Sequence, residues 1–390
     1  MARHKLKKIS IIIINRSNYA RLKPVLEELK KSKKLKLSLI AGSSSILSKY
    51  GNVAEEIKKD KYKINYEFYS HIAGENNQSM IKSTGLLILE LSSILSKEKP
   101  DLVLISGDRF ETLAAGMTAS YLNISICHVM GGELTGTIDE KIRHSLTKLS
   151  DFHFPSTIRS KKIIIQMGEN PKNVYNVGCP SIDLIKKINF KEKTNLSDYN
   201  YGRRYKVDLK KEYLMVLLHP DTTNYKNNLK LVLETCKALK YVKKQIIWLW
   251  PNIDAGADLI SKKVGDYVDK HNNMKINFYS HFKAVDYLKL LKGSLCLIGN
   301  SSSGIREASY LGVPVVNIGN RQIHRERSEN VLDVEENYLE IKKAIDKQIK
   351  IKRYRPSKLY GAGNSSKKIV KILENLNPQI IKKFFINFNE

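Results

Sequence analysis

The chain has 390 residues, 42% hydrophobic and 27% charged, the proportions of an ordinary globular protein long enough for two domains. Its 67 Lys and Arg outnumber 39 Asp and Glu, for a formal net charge of +28. The lysines are scattered in pairs such as Lys30-Lys31, Lys161-Lys162 and Lys367-Lys368 rather than gathered on one segment with aromatics, which argues against a nucleic-acid partner and suits attraction of small anions.

Cys127, Cys179, Cys236 and Cys296 lie far apart and have neither metal-ligand nor disulfide spacing, so no metal and no cofactor are expected. The apolar run at 11–14 is too short for a signal-peptide core, and no segment approaches membrane-spanning length. A cytoplasmic protein with no membrane partner is the expectation.

In chain order, the first half alternates in βαβ fashion: strand 9–14, helix 21–31, strand 35–41, helix 53–59, strand 64–68, helix 80–97 and strands 102–105 and 124–127. A helix at 140–148, strand 151–154, helix 158–166 and strand 174–178 complete a parallel, doubly wound lobe over residues 1–185. Residues 186–211 are polar, aperiodic and rich in turn formers, including Asn200 and Gly202, and read as a linker. A second alternation follows over 212–370: strand 213–218, helix 229–239, strands 245–250 and 275–278, helix 284–291, strand 295–298, helix 305–311 and strand 313–318. A helical tail over 371–390 ends the chain. The fold class is α/β, with two Rossmann-like lobes facing across a central cleft.

Chemistry in such folds sits at the carboxyl ends of strands. Asp108 and Glu133 follow two neighbouring strands, and Asp139 lies just beyond. Glu140 stands in capping-box spacing to Thr137, which leaves Asp139 as the freer carboxylate. Arg16 and Tyr19 follow the first strand, where a guanidinium fork suits a diphosphate. In the second lobe His219 ends strand 213–218, and Gly299-Asn300-Ser301-Ser302-Ser303-Gly304 precedes a helix. Its serines and free N–H groups suit phosphate, Gly304 permits close backbone approach, and Glu307 suits a ribose diol. The stretch lacks the Lys of a P-loop, which disfavours ATPase chemistry.

The ordered set Gly107-Asp108-Arg109-x-Glu111, His128-x-x-Gly131-Gly132-Glu133, Ile138-Asp139-Glu140-x-Ile142-Arg143-His144, Gly299 to Gly304, Asn317-Ile318-Gly319-x-Arg321-Gln322 and Tyr360-Gly361-x-Gly363-Asn364-Ser365-Ser366 closely resembles the hydrolysing branch of the UDP-N-acetylglucosamine 2-epimerase family. The resemblance spans both lobes and implies a glycosyltransferase-B type fold, with the nucleotide held mainly by the C-terminal lobe. It implies a small-molecule nucleotide-sugar substrate, loss of the C2 proton with departure of UDP, and hydration of the resulting glycal to N-acetylmannosamine for sialic-acid synthesis. By the family pattern Asp108, Glu133 and Asp139 are the acid/base set. His219 joins them as a catalytic residue, with Arg16, Tyr19, Arg143, Asn300, Ser302, Ser303, Gly304, Glu307 and Arg321 as substrate ligands. By analogy the protein forms a homodimer or higher homo-oligomer. Paralogues act on 2,4-diacetamido-2,4,6-trideoxy sugars carried by UDP or GDP, and the motifs do not separate these substrates; a glycosyltransferase with the same fold is the alternative from another class. Two departures stand out: His324 precedes Arg325 where relatives have glycine, a change expected to reshape the base pocket, and the loop Ala41 to Ser45 lacks the histidine of many relatives.

Overall fold

A computed structural model describes residues 6–74, 76–199, 205–221, 223, 227–251, 254–271, 273–378 and 383–386. The first lobe runs β1 (Lys7–Ile13), α1 (Arg16–Leu29), β2 (Leu35–Gly42), α2 (Val53–Lys59), β3 (Tyr66–Phe68), α3 (Asn77–Glu98), β4 (Leu102–Ser106), α4 (Phe110–Tyr121), β5 (Ser125–Val129), α5 (Ile138–Leu149), β6 (Phe152–Phe154), α6 (Ile158–Gln166) and α7 (Pro180–Lys187). The second runs β7 (Tyr213–Leu217), α8 (Asn228–Lys240), β8 (Gln245–Leu249), α9 (Ala257–Lys270), β9 (Ile276–Tyr279), α10 (Ala284–Gly293), β10 (Leu297–Gly299), α11 (Ser302–Ile305), α12 (Glu307–Leu311), β11 (Val315–Ile318), β12 (Val331–Val334) and α13 (Tyr338–Ile351), before α14 (Ser365–Asn375).

Each lobe carries a six-stranded parallel sheet, ordered β3-β2-β1-β4-β5-β6 and β12-β11-β10-β7-β8-β9. Both orders are the doubly wound 3-2-1-4-5-6 arrangement, so the strand direction of winding reverses at β1/β4 in one lobe and at β7/β10 in the other. These reversals open a crevice at the strand ends. The buried strands are continuous runs of Ile, Leu and Val, as sheets covered on both faces require. Ile9, Ile11 and Leu104 pack toward α1 and α7, while Val103, Ile105 and Ile126 pack toward α3 and α4.

Several expectations are corrected. Residues 174–178 form no strand, only an isolated bridge from Val174 to His153. The helix expected over 305–311 is two short pieces broken at Arg306. The last helix begins at Ser365 and ends at Asn375; residues 376–378 and 383–386 carry no helix, so the described part of the 371–390 tail is helical only at its start. Asn200 and Gly202 of the linker lie outside the described residues. At 22 residues α3 has the length and apolarity to cross a membrane, contrary to expectation, but its Leu87, Leu91 and Leu95 stripe is fully buried against the sheet and α4.

The chain passes between lobes twice. After α13 it returns to the first lobe, where α14 packs on α1 and α7 and Asp183 accepts from the backbone N–H of Ser365 (3.0 Å) and Ser366 (2.7 Å). The Cys179 N–H donates to the Tyr360 carbonyl at 2.7 Å, which ties the returning segment to α7.

Candidate active site

A cleft of about 170 Å³ lies where the two reversals face each other. From the first lobe Arg16, Arg21, Asp108, Arg109 and Asp139 line it; from the second come His219, the serines 301–303, Arg306, Glu307, Arg321 and Arg325. Strand ends deliver these side chains because β1, β4, β7 and β10 all point their carboxyl ends into the gap.

Asp108 follows β4. Its Oδ2 accepts from Arg143 Nη2 and lies 3.6 Å from Arg325 Nη2. Burial alone would raise its pKa, but Arg143, Arg325 and Arg21 outweigh burial and hold the carboxyl far below the usual aspartate range. Asp139, in the first turn of α5, has one ion pair, Oδ2 to Arg321 Nη2 at 3.2 Å. Burial raises its pKa, Arg321 opposes, and the charges of Asp108 and Asp254 raise it further. Two neighbouring carboxylates are thus pushed in opposite directions.

Glu133 does not line the cleft. It is 3% exposed, with Oε2 held by Arg306 Nη2 at 2.6 Å and Arg325 Nε at 2.9 Å. Burial is overcome by these arginines and by Arg143, so it stays ionised. Of the three expected acids, Asp108 and Asp139 line this cleft, while Glu133 lies behind it, paired with Arg306 and Arg325 and lining a small adjoining recess. Gly132 sets its position: φ is +75° and an added Cβ would lie 2.3 Å from the Ser160 carbonyl oxygen.

Arg143 is fully buried rather than in the cleft, and donates to the Glu133 carbonyl at 2.6 Å as well as to Asp108. It joins the two acids from behind and does not line the cleft. Arg16 lines the cleft, but its Nη1 donates to the Ser280 carbonyl (2.6 Å) and its Nη2 to that of Trp250 (3.1 Å), so these donors grip the opposite lobe's backbone. Burial pushes its pKa down to about 10. The Tyr19 ring lines the cleft while its hydroxyl is spent on Asp60.

In the second lobe Asn300 is a brace: its side chain accepts from His219 N at 2.7 Å and donates to His219 O at 2.8 Å. His219 is held neutral by burial and by Arg321, Arg16 and Arg109, and its Nδ1 is buried without a partner among the described residues. Ser301 caps α11, Ser303 Oγ meets Tyr287 Oη at 2.5 Å, and Ser302 Oγ accepts weakly from Arg21 Nη2 at 3.5 Å. At Gly304 packing already demands a small residue, since a Cβ would sit 2.9 Å from Val315 Cγ1. Because α11 has four residues, its dipole contributes little to anion binding.

Glu140 does not complete a capping box with Thr137; it accepts from the Thr135 N–H instead. His324 lies outside the main cleft and lines a small recess beside Glu133 and Arg159. Ser44 and Ser45 of the early loop bond the Ile14 and Ile13 carbonyls and do not line the cleft. Arg21, Arg306 and Tyr287 were not singled out by sequence. Arg306 adjoins the serine loop and was within reach of sequence reasoning; Arg21 and Tyr287 carry no motif and are brought in by the meeting of the lobes. Among the described residues no group of three His, Cys, Asp or Glu could hold a metal.

Two facing Rossmann-like lobes with a phosphate-suited loop opposite strand-tip acids define a glycosyltransferase-B type fold. The profile of the UDP-N-acetylglucosamine 2-epimerase family matches residues 27–374, and the chain belongs to that family. It is 34% identical over 383 residues to the UDP-N,N'-diacetylbacillosamine 2-epimerase (hydrolyzing) of Legionella pneumophila, spanning 97% of this chain and 99% of the relative. It is also 34% identical over 387 residues to the GDP/UDP-N,N'-diacetylbacillosamine 2-epimerase (hydrolyzing) of Campylobacter jejuni, spanning 98% and 99%. The crystal structure of UDP-GlcNAc 2-epimerase from Neisseria meningitidis superposes with a TM-score of 0.76 at 21% identity, covering 94% of this chain and 99% of that one, a likeness of fold.

Proposed function

We propose that the protein hydrolyses a nucleoside-diphosphate-linked 2-acetamido sugar with inversion at C2, releasing the free 2-epimer and the nucleotide for nonulosonate biosynthesis. The observation that carries this reading is the opposed tuning of Asp108 and Asp139 on one cleft, facing the serine loop and His219. A carboxylate with a raised pKa and one long ion pair is the better proton carrier; one locked as an anion orients and activates water. Asp139 takes the C2 proton as the C1–O bond breaks and its electron pair leaves with the diphosphate. The locked Asp108 orients the water that adds across the C1–C2 double bond, its oxygen joining C1 and its proton going to C2 on the opposite face, while the proton on Asp139 returns to solvent.

The sugar we favour is a 2,4-diacetamido-2,4,6-trideoxy hexose, because the Legionella and Campylobacter relatives are named for it and match nearly end to end. UDP-N-acetylglucosamine is the second reading, supported by a Neisseria meningitidis relative named UDP-N-acetylglucosamine 2-epimerase, 29% identical over 372 residues. Turnover of both UDP-sugars and of the GDP-linked diacetamido sugar in D₂O tests this. Deuterium at C2 of the released sugar, without added acceptor, is expected; protium retained at C2 rules out elimination, and acceptor-dependent turnover points to a transferase.

A further inference from the structure

The corner of the cleft behind the serine loop holds more cationic donors than the protein's own groups satisfy. Arg306 occupies the break between α11 and α12 and is 2% exposed. Glu133 takes its Nη2, yet Nε and Nη1 meet no hydrogen-bond partner among the described residues. The Tyr360 ring lies 5.7 Å from its Cζ and covers the guanidinium without accepting an N–H. Arg21 reaches the same corner from α1 of the other lobe, where among the described residues its hydrogen bond is a 3.5 Å contact to Ser302. Burial first, and then the charge of Arg306, disfavours the charged forms of both Arg21 and Arg325. Three guanidinium groups are crowded out of water, two carboxylates (Asp108 and Glu133) partly offset them, and donors remain unused.

Such an arrangement awaits an anion richer than one phosphoryl group. The serines 301–303 can serve one phosphoryl group; Arg306 and Arg21 stand beside them for the next. We propose that Arg306 is a substrate-binding residue that uses the donors Glu133 leaves free to hold an oxygen of the diphosphate, and thereby sets the preference for a nucleoside diphosphate over a monophosphate. This rests on the nucleotide-sugar reading above. One guanidinium then bridges the departing nucleotide and Glu133, so the charge that grows on the leaving group is met by a cation already fixed in place.

The test is calorimetric binding of UDP, UMP and uridine, with GDP, GMP and guanosine in parallel, to the wild-type chain, Arg306→Gln and Arg306→Lys. The wild type is expected to bind the diphosphate more tightly than the monophosphate; Arg306→Gln should weaken diphosphate binding by about 10-fold or more while leaving the nucleoside unchanged, since a hydrogen bond to a charged group is lost. Arg306→Lys, which keeps the charge but not the fork, should recover part of the preference. An unchanged diphosphate-to-monophosphate ratio in Arg306→Gln overturns the inference, as does equal loss of nucleoside and diphosphate in both variants. A wild-type chain that binds neither UDP nor GDP overturns the nucleotide-sugar reading along with it.

Discussion

Asp108 and Asp139 share one cleft but live under opposite fields: the first is clasped by Arg143 with Arg325 nearby, and the second is paired with Arg321 at 3.2 Å and helped less by Arg109. The contrast makes pH the natural probe. Asp139 works as a base only when ionised, so kcat/KM should fall as pH drops through its raised pKa. Arg321 is the largest influence holding that pKa down against burial. Arg321→Gln should therefore move the acidic limb of the pH–rate profile to higher pH. A limb that stays in place, or moves to lower pH, would remove Asp139 from the role of base.

Glu133 tests the difference between a reacting acid and a counter-ion. Glu133→Gln leaves Arg306 and Arg325 buried without their shared carboxylate, and breaking a buried pair by removing one partner costs about 3–5 kcal/mol. Thermal denaturation should register a marked drop in Tm, with nucleotide still bound at low temperature. A variant as stable as the wild type but inactive would instead make Glu133 a proton carrier.

Arg109 holds the lobes together at the mouth of the cleft. Its Nη1 meets Asp254 of the second lobe at 2.7 Å while its Nε meets Glu111 of its own helix at 3.0 Å. Asp254→Asn should favour the open form and raise KM by about 10-fold through a loss on the order of 1–2 kcal/mol, with a smaller change in kcat. Small-angle scattering would check the cause: a radius of gyration unchanged by the substitution contradicts a latch.

Glu169 carries a stability effect remote from the cleft. Burial would raise its pKa, but His153, Lys148 and Lys383 surround the carboxylate and lower it to about 2. A folded-state pKa below the unfolded one means that the stabilisation is present above the unfolded value, near 4.5, and is lost as pH falls toward 2. From the size of the shift it is on the order of 3 kcal/mol. Urea denaturation at several pH values should find the wild type losing this increment between those limits over and above the loss in Glu169→Gln, which keeps the other lowered carboxylates such as Glu133.

The parallel strands were legible because sheets covered on both faces demand continuous β-branched runs, and 102–105 and 245–250 supply them. Strand tips then located Asp108, Asp139, His219 and the serine loop. What stayed hidden depends on long-range partners. β12 has Asp333 in a half-exposed edge strand and lacks an apolar run. The break at Arg306 leaves no mark in a sequence that reads as one helix. Likewise nothing local distinguishes Glu133 from Asp139; only the arrival of Arg306 and Arg325 from the other lobe decides which acid is shielded.

Lys7, near the beginning of the chain, donates to the Leu373 carbonyl at 2.7 Å, so the first strand and the last helix belong to the same body, and the polypeptide must leave it and come back. Those outward and homeward passages work like a double strap across a box lid. They permit swinging about the line they define and resist sliding or corkscrewing. Fluorophores fixed on β1 and α14 would ride together and miss the swing, whereas one on β1 and one on α9 would follow it.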